Sequence, residues 1–131
     1  MKYLRDYVQG KQTALFEETG AFFAFSKDQL DEQTVKGTKY YSLGSGMFCP
    51  QDTTERLETG LTSIHEQGIA QDLAENGKVA IIWREFANHE VQIGGDITDV
   101  VDIMKDYGID EADVVGEYGG YFKHCVELDL F

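Results

Sequence analysis

Residues 79–86 have the sequence VAIIWREF, and this segment decides much of the fold. Its apolar side chains recur at positions i, i+3, i+4 and i+7, the spacing that places them on one face of an α-helix. They are Val79, Ile82, Trp83 and Phe86. The pattern predicts a core helix in which Trp83 and Phe86 are buried.

A longer helix is predicted just before this segment, from Asp52 or Thr53 to about Asn76, with apolar residues at helical spacing. Gly60 and Gly68 fall on or beside its apolar stripe. Because a glycine inside a helix costs about 1 kcal/mol relative to alanine, their placement favours close approach of another helix or strand at these two positions.

Further helices are predicted on both sides of this pair. One covers residues 2–19 and ends where Gly20 can adopt a left-handed cap. A second, short helix is predicted after a capping box that begins at Ser26. This helix continues to about Gln33. Two more begin at Asp96 and at Asp110, each a good N-cap residue.

Strand signals are short and scattered along the chain. They comprise residues 21–25, residues 39–49 with a bulge or tight bend at residues 44–46, a brief strand at residues 91–93, and the alternating segment 126–130. We therefore predict an α+β fold that is mostly helical. In it, four to five helices surround a small antiparallel sheet of segments 21–25, 39–49 and 126–130, in a single domain over residues 1–131.

Charge is the most unusual global property, since 24 acidic residues face 11 basic ones. The excess is uneven: residues 1–60 contain 9 acidic and 7 basic residues, whereas residues 61–131 contain 15 acidic and 4 basic residues, a net charge of −11. Such a chain repels phosphate backbones, so direct nucleic-acid binding is disfavoured. A basic protein surface is the charged partner that this composition favours.

Membrane association and disulfide bonding are also disfavoured. No stretch approaches the roughly 18 consecutive apolar residues of a membrane span, and the N-terminal residues lack a secretory pattern. The two cysteines, Cys49 and Cys125, are far apart in sequence. We expect a cytoplasmic protein with both thiols free.

Motifs for catalysis or cofactor binding are not evident. The sequence lacks a phosphate-binding loop, a dinucleotide fingerprint and a nucleophile elbow. Its histidines lack the paired spacing of a zinc site, although His124 and Cys125 could supply two ligands. No catalytic residue, cofactor or metal ion is therefore predicted.

One group of carboxylates stands above the general acidity. Asp99, Asp102 and Asp106 are spaced by three and four residues, so they share one face of the helix predicted from Asp96. Their separation along the helix, roughly 4.5 to 6 Å, resembles the spacing of phosphates along a nucleic-acid strand. The complete predicted partner-binding set is Asp99, Asp102, Asp106, Asp110, Asp113 and Glu117. The competing interpretation is an ordinary solvated helix face.

Three segments carry a resemblance to known sequences: GAFFAFS at residues 20–26, residues 39–50, and QDLAENG at residues 71–77. With them the chain resembles a family of short uncharacterised proteins encoded by bacteriophages and mobile elements of bacteria. The resemblance supplies no activity and no functional residues. It implies a protein of the bacterial cytoplasm, made during infection or carried by a prophage, where small acidic inhibitors of host defence are common.

These observations favour a non-enzymatic interaction protein that inhibits a host nucleic-acid-handling defence system, such as a CRISPR effector, by occupying its basic groove. Two alternatives remain open. One is a protein that binds a small molecule or nucleotide, with or without turnover, in a pocket between the aromatic strands and the helices. The other is a self-associating phage accessory or structural module, for which a homodimer would be the simplest form.

Overall fold

The computed structural model describes all residues 1–131 and contains seven α-helices, one 3₁₀ turn and three β-strands. The helices are α1 Leu4–Thr19, α2 Lys27–Gln33, α3 Thr54–Asn76, α4 Lys78–Asn88, α5 Val91–Gly94, α6 Thr98–Lys105 and α7 Glu111–Leu128; the strands are β1 Phe22–Phe23, β2 Tyr40–Gly44 and β3 Met47–Pro50. The chain divides into two compact units, residues 2–68 and residues 69–131 with Met1.

The first unit contains the whole sheet. Strand β3 lies in the middle and pairs antiparallel with β1 on one side and β2 on the other. Strands β2 and β3 form a hairpin whose central turn residues, Ser45 and Gly46, both have positive φ angles of 54° and 82°. Positive φ at both positions is typical of the tight turns that match the twist of a hairpin. The register shifts between Ser42 and Gly44, so the predicted bulge and the predicted bend are both present.

Helix α1 packs against α3 at the two glycines singled out by the sequence. A Cβ atom at Gly60 would lie 2.7 Å from Cδ2 of Leu15, and one at Gly68 would overlap Cγ1 of Val8. Both α1 side chains are buried. The predicted close approach is therefore confirmed: each glycine of α3 leaves room for one large side chain of α1.

The second unit is built from helices. Helix α4 supplies the fully buried side chains Ile81, Ile82 and Phe86, and it contacts α5, α6 and α7. Helix α7 begins at the predicted N-cap Asp110, whose side chain accepts a hydrogen bond from the backbone N–H of Asp113. On either side of this cap, Ile109 and Val114 are buried as expected for a hydrophobic staple.

Three local predictions are wrong. Residues 126–130 are not a strand: α7 continues to Leu128 and ends at Asp129 in the left-handed conformation. The alternating apolar residues Val126, Leu128 and Leu130 are exposed, so they do not form the buried face of a strand. Residues 91–93 belong to the single-turn helix α5, which helps to raise the helix count to seven. Trp83 is only half-buried, because it lies at the surface of the second unit.

The α+β class, the predominance of helix and the small antiparallel sheet are confirmed. The predicted segment 39–49 forms two strands, β2 and β3. Strand β3 therefore takes the place in the sheet that was predicted for residues 126–130. Both cysteines are buried, and neither forms a disulfide bond. None of the helices has the length and apolar character needed to cross a bilayer. The single domain expected from chain length stays a prediction.

Replacing Gly68 with alanine should destabilise the protein by up to about 2 kcal/mol. Alanine favours a helix by about 1 kcal/mol over glycine, but overpacking a well-filled contact costs about 1 to 3 kcal/mol, and the branched Val8 side chain cannot swing aside. Gly10→Ala is the matched control, because nothing lies within 4 Å of a Cβ at that helical position. It should stabilise the protein by about 0.5 to 1 kcal/mol. Urea unfolding measures both, and two stabilised variants would contradict the close contact.

Candidate functional site

A buried ion pair lies at the centre of the second unit. Arg84 of α4 donates two parallel hydrogen bonds to Asp72 of α3, from Nη1 to Oδ1 and from Nη2 to Oδ2, each 2.9 Å long. The side chains of Arg84 and Asp72 are 3% and 0% exposed. The two-pronged geometry is the strongest that a guanidinium and a carboxylate can make.

Neighbouring side chains complete this network. Tyr107, which follows α6, donates a 2.6 Å hydrogen bond from its hydroxyl to Oδ2 of Asp72. Asn76 donates a 2.8 Å hydrogen bond from Nδ2 to Oδ1 of Asp72. On the other side, Arg84 Nε donates to Oε1 of Glu85 at 3.2 Å. No buried side-chain nitrogen or oxygen of the chain lacks a hydrogen-bond partner, so the charges are compensated as burial requires.

The pKa values follow from this arrangement. Burial alone would raise the pKa of Asp72, but the hydrogen bonds from Arg84, Tyr107 and Asn76 outweigh it and hold the pKa below its ordinary value of 3.8. Burial would likewise lower the pKa of Arg84, yet its bonds to Asp72 and Tyr107 raise that pKa. Burial and the bond to Asp72 raise the pKa of Tyr107 above 10.0. Near neutral pH Asp72 is therefore a carboxylate, Arg84 a guanidinium and Tyr107 a neutral phenol.

This network is suited to fixing helices and not to chemistry on a ligand. Its groups are saturated by one another, and the phenol is less acidic than usual, so none is activated as a nucleophile or base. Asp72 was not among the residues for which the sequence predicted a role. The available signal was a lone Arg84 between the apolar residues of α4, together with Asp72 three residues after Ile69 on the apolar stripe of α3.

An open groove of about 830 Å³ lies on the surface of the same unit, between α4 and α7. Two small exposed residues of α4, Ala80 and Ala87, form part of the groove wall. They are seven residues apart and therefore lie on the same face of the helix. The half-buried Trp83 lies between them, with its ring 5.4 Å from His124 and 5.5 Å from Tyr121 of α7. The groove thus explains why Trp83 is not buried in the core.

At one end of the groove, lining residues bind carboxylates of α7. Lys78, which lines it, donates a 2.8 Å hydrogen bond to Oδ2 of Asp113. That bond, and the fields of Asp113, Asp110 and Glu117, raise the pKa of Lys78. Glu117 also accepts a 3.0 Å hydrogen bond from Nε1 of Trp83. Asp113 and Glu117 therefore each bind a residue that lines this end of the groove. The lining itself includes Met1, Lys78 and His124 but no Asp or Glu.

The structure separates the six predicted partner-binding residues into two groups. Asp99, Asp102 and Asp106 are exposed on α6 and its C-terminal cap. Within this group Asp102 Oδ1 contacts Lys105 Nζ at 3.2 Å in an exposed pair. Exposed pairs of this kind contribute little to stability, so the carboxylates remain accessible to a partner.

The other group consists of Asp110, Asp113 and Glu117, and each has a local role as α7 cap, Lys78 partner or Trp83 partner. The acidic residues do not cluster for metal binding: no three side chains among His, Cys, Asp and Glu are placed to hold an ion together. His124 lies against aromatic rings, and Cys125 next to it in sequence is buried.

Comparison with protein families identifies a match over most of the chain. The sequence model of a family described as a family of unknown function, DUF7659, matches residues 4–118. No curated protein and no solved structure matches the chain significantly.

Replacing Asp72 with asparagine should destabilise the protein by about 3 to 5 kcal/mol at neutral pH, because it leaves the Arg84 charge buried without its main counter-charge. Asp99→Asn, the same chemical change at an exposed position, should alter stability by no more than about 0.5 kcal/mol. Urea unfolding at about pH 7 compares the three proteins.

Acid provides a second measurement. Because the pKa of Asp72 is lowered in the folded state, its stabilisation is complete above 3.8 and is lost as pH falls below that value. The difference in unfolding free energy between wild type and Asp72→Asn should therefore shrink between about pH 5 and about pH 2. A difference that stays constant over this range would show that Asp72 is not held ionised by Arg84.

Proposed function

The chain belongs to a family of unknown function. We propose that it is a non-enzymatic interaction protein whose acidic α6 face occupies the basic groove of a nucleic-acid-handling protein. The partner class is a host defence effector, of which a CRISPR effector is one example. The protein would act by taking the place of the nucleic acid on that surface. Asp99, Asp102 and Asp106 are the residues that carry the contact.

The observation that carries this proposal is the exposure of these three carboxylates on one short helix. The opposite side of α6 is firmly anchored, because Val100, Val101 and Met104 are buried. The carboxylates are therefore held on a fixed backbone and cannot turn inward. A rigid row of negative charges loses little conformational entropy on binding a cationic groove.

The surrounding charge adds to the attraction. Residues 69–131 contain 14 acidic and 4 basic residues, a net charge of −10. A field of one sign steers a partner of the opposite sign and raises the association rate, and salt weakens it. Like charges on one helix face lower helix stability by a few tenths of a kcal/mol per pair, a cost that contact with a cationic partner would offset.

The resemblance of segments 20–26, 39–50 and 71–77 to phage-encoded proteins supports the same biological setting. A protein made in the cytoplasm of an infected bacterium encounters the host's nucleic-acid-directed defences directly. The acidic composition supports a protein partner over a nucleic-acid ligand.

The triple variant Asp99→Asn, Asp102→Asn, Asp106→Asn tests the proposal. Asparagine keeps the side-chain size and removes three charges, so the fold should persist while inhibition of nucleic-acid cleavage by purified CRISPR effectors falls by about tenfold or more, about 1.4 kcal/mol of binding. Inhibition by wild type should weaken as salt is raised, because the screening length falls to about 3 Å at 1 M.

The matched control changes the same amount of charge elsewhere. Asp28, Asp31 and Glu32 are exposed on α2, and their amide variants also raise the net charge by three. This control should inhibit as well as wild type. Equal loss in both triple variants would show that only total charge matters, and equal activity in both would reduce the α6 carboxylates to a solvated face.

Self-association is a second candidate, favoured by an exposed apolar stripe on α7. Its members occur at positions i, i+3, i+7, i+10 and i+14, the spacing of a coiled-coil seam. They are Ala112, Val115, Gly119, Phe122 and Val126. Val115, Phe122 and Val126 are 53%, 39% and 56% exposed. The stripe is uncharged and about 21 Å long.

An antiparallel homodimer would match large residues with small ones along this stripe. With residue 117 at the centre, Phe122 lies opposite Ala112 of a second copy, and Val115 lies opposite Gly119. A parallel pair would instead oppose Phe122 to Phe122 and leave a gap at Gly119. Volume matching of this kind is what a well-packed interface requires.

Sedimentation measures this association directly. Wild type should show a concentration-dependent dimer, and Phe122→Gln should shift it towards monomer, because the largest apolar contact is lost. Val35→Gln is the control, since Val35 is 65% exposed in the first unit, away from α7 in sequence. A wild type that stays monomeric at every concentration would exclude this candidate.

A further inference from the structure

The two edges of the sheet in the first unit differ in how they are covered. Side chains of α2 cover the edge of β1. Gln33 donates a 2.9 Å hydrogen bond from Nε2 to the carbonyl oxygen of Phe23. Gln29 accepts a 2.8 Å hydrogen bond at Oε1 from the backbone N–H of Phe25. Strand β2, the outer strand on the other side, pairs only with β3, and such an open edge is a surface to which another strand can add.

We infer that the open edge of β2 is a self-association site, at which the β2 strands of two copies pair antiparallel and join their sheets. The inference goes beyond the proposed function, because it uses neither the α6 carboxylates nor the α7 stripe. Its occupant is a second copy of the chain. The direction of the free backbone groups, the register and the charge of β2 all favour that occupant.

The hydrogen bonds between β2 and β3 determine which backbone groups of β2 face outward. In an antiparallel pair, bonded and non-bonded residue pairs alternate along the strands. Gln51 donates a 2.9 Å hydrogen bond from its backbone N–H to the carbonyl oxygen of Lys39, so Tyr41 is the next residue bonded to β3. The N–H and C=O groups of Tyr40 and Ser42 therefore point away from β3, along the open edge.

One register pairs all of these outward groups. The regular part of β2 ends at Ser42, because the register with β3 shifts between Ser42 and Gly44. With Tyr41 on a two-fold axis, Tyr40 of each copy lies opposite Ser42 of the other, and the two residues exchange backbone hydrogen bonds. A pairing centred on Ser42 would instead place Tyr40 opposite Gly44, which lies beyond the shift and has a φ angle of 87°.

The side chains of β2 fit this register. The Tyr41 side chains of the two copies would meet as a non-hydrogen-bonded pair, in which Cα atoms are about 4.5 Å apart and side chains contact each other closely. Tyr41 is 47% exposed in the single chain, so the contact would cover aromatic surface on both copies. On the opposite face of the sheet, the large Tyr40 side chain would lie beside the small Ser42 of the second copy.

The charge distribution also favours a second copy at this edge. The chain has a net charge of −13, so contact between acidic surfaces of two copies is repulsive. Residues 33–51 contain no aspartate or glutamate, and residues 40–46 contain no charged side chain. Edge strands that avoid pairing commonly carry a charge or a proline, and neither occurs in Tyr40–Gly44.

Cysteine cross-linking tests the pairing, because a disulfide traps a contact that a short strand pair makes only weakly. Every protein in the test carries Phe122→Gln, so that the α7 stripe does not bring copies together. Opposed residues of a strand pair lie within disulfide range. Tyr41→Cys should therefore form an intermolecular disulfide about tenfold faster or more than Val35→Cys. Val35 is 65% exposed but precedes the strand, and both native cysteines are buried.

Variants at Ser42 test the backbone hydrogen bonds. In the Tyr41→Cys protein, Ser42→Pro removes an outward N–H group that β3 does not use, at an edge position where proline is tolerated. Its cross-linking rate should fall to that of Val35→Cys. Ser42→Thr keeps the N–H group and should leave the rate unchanged. Circular dichroism verifies that both variants are folded.

A mixture of two single variants tests the register and leaves the backbone hydrogen bonds in place. Tyr40→Cys and Ser42→Cys proteins should cross-link to each other faster than either does to itself, because only the mixed pair places two cysteines directly opposite. Equal rates for the mixed and the like pairs would overturn this register. The mixture decides the question if Ser42→Pro does not fold.

Two results would overturn self-pairing altogether. In the first, Tyr41→Cys cross-links no faster than Val35→Cys, which would leave the β2 edge unused or reserved for a strand of another protein. In the second, a folded Ser42→Pro variant cross-links as fast as Ser42→Thr. None of these variants changes α6, so either failure would leave the proposed function standing, and failure of the α6 triple variant would leave the strand pairing standing.

Discussion

The ion pair between Asp72 and Arg84 is the constraint on which the second unit depends. Removing two charges from water costs several kcal/mol for each ion, and the cost is recovered only when the pair has good geometry and every remaining polar atom is bonded. Here those conditions require α3, α4 and the residue after α6 to be in one register, since Asp72, Arg84 and Tyr107 must all meet. A helix shifted by one turn would leave a buried charge unpaired.

The buried position of Arg84 sets the rotation of α4 about its axis, and this rotation determines which side chains of α4 are exposed to solvent. Helical periodicity places Ile81, Ile82 and Phe86 in the core, and the same rotation leaves Ala80 and Ala87 exposed beside the groove. The groove is thus a by-product of the buried pair and the core packing. The acidic surface is less uniform than the net charge suggests. Asp110, Asp113 and Glu117 cap α7 or bind Lys78 and Trp83, whereas Asp99, Asp102 and Asp106 are exposed on α6 and its cap.

Local signals predicted much of the architecture because the forces involved are local. Gly20 terminates α1 with φ 77°, Ser26 caps α2 and Asp110 caps α7, and each depends on atoms within a few residues. The glycines of α3 carried longer-range information, since a helix tolerates glycine at a contact only when something occupies the space. Segment 126–130 failed because five alternating residues do not distinguish a strand from the end of a helix whose earlier residues already establish a buried face.

The sequence by itself determined the α+β class, most helix boundaries, the close approach at Gly60 and Gly68, and the exposed row of carboxylates on α6. Each depends on periodicity or on the conformational preference of a single residue. Only the tertiary structure decided that Asp72 is buried and paired, that Trp83 lines a groove, and that Asp113 of α7 pairs with Lys78. These features depend on residues at least 12 positions apart. The pattern along one chain does not specify which distant side chains will lie together in a desolvated site.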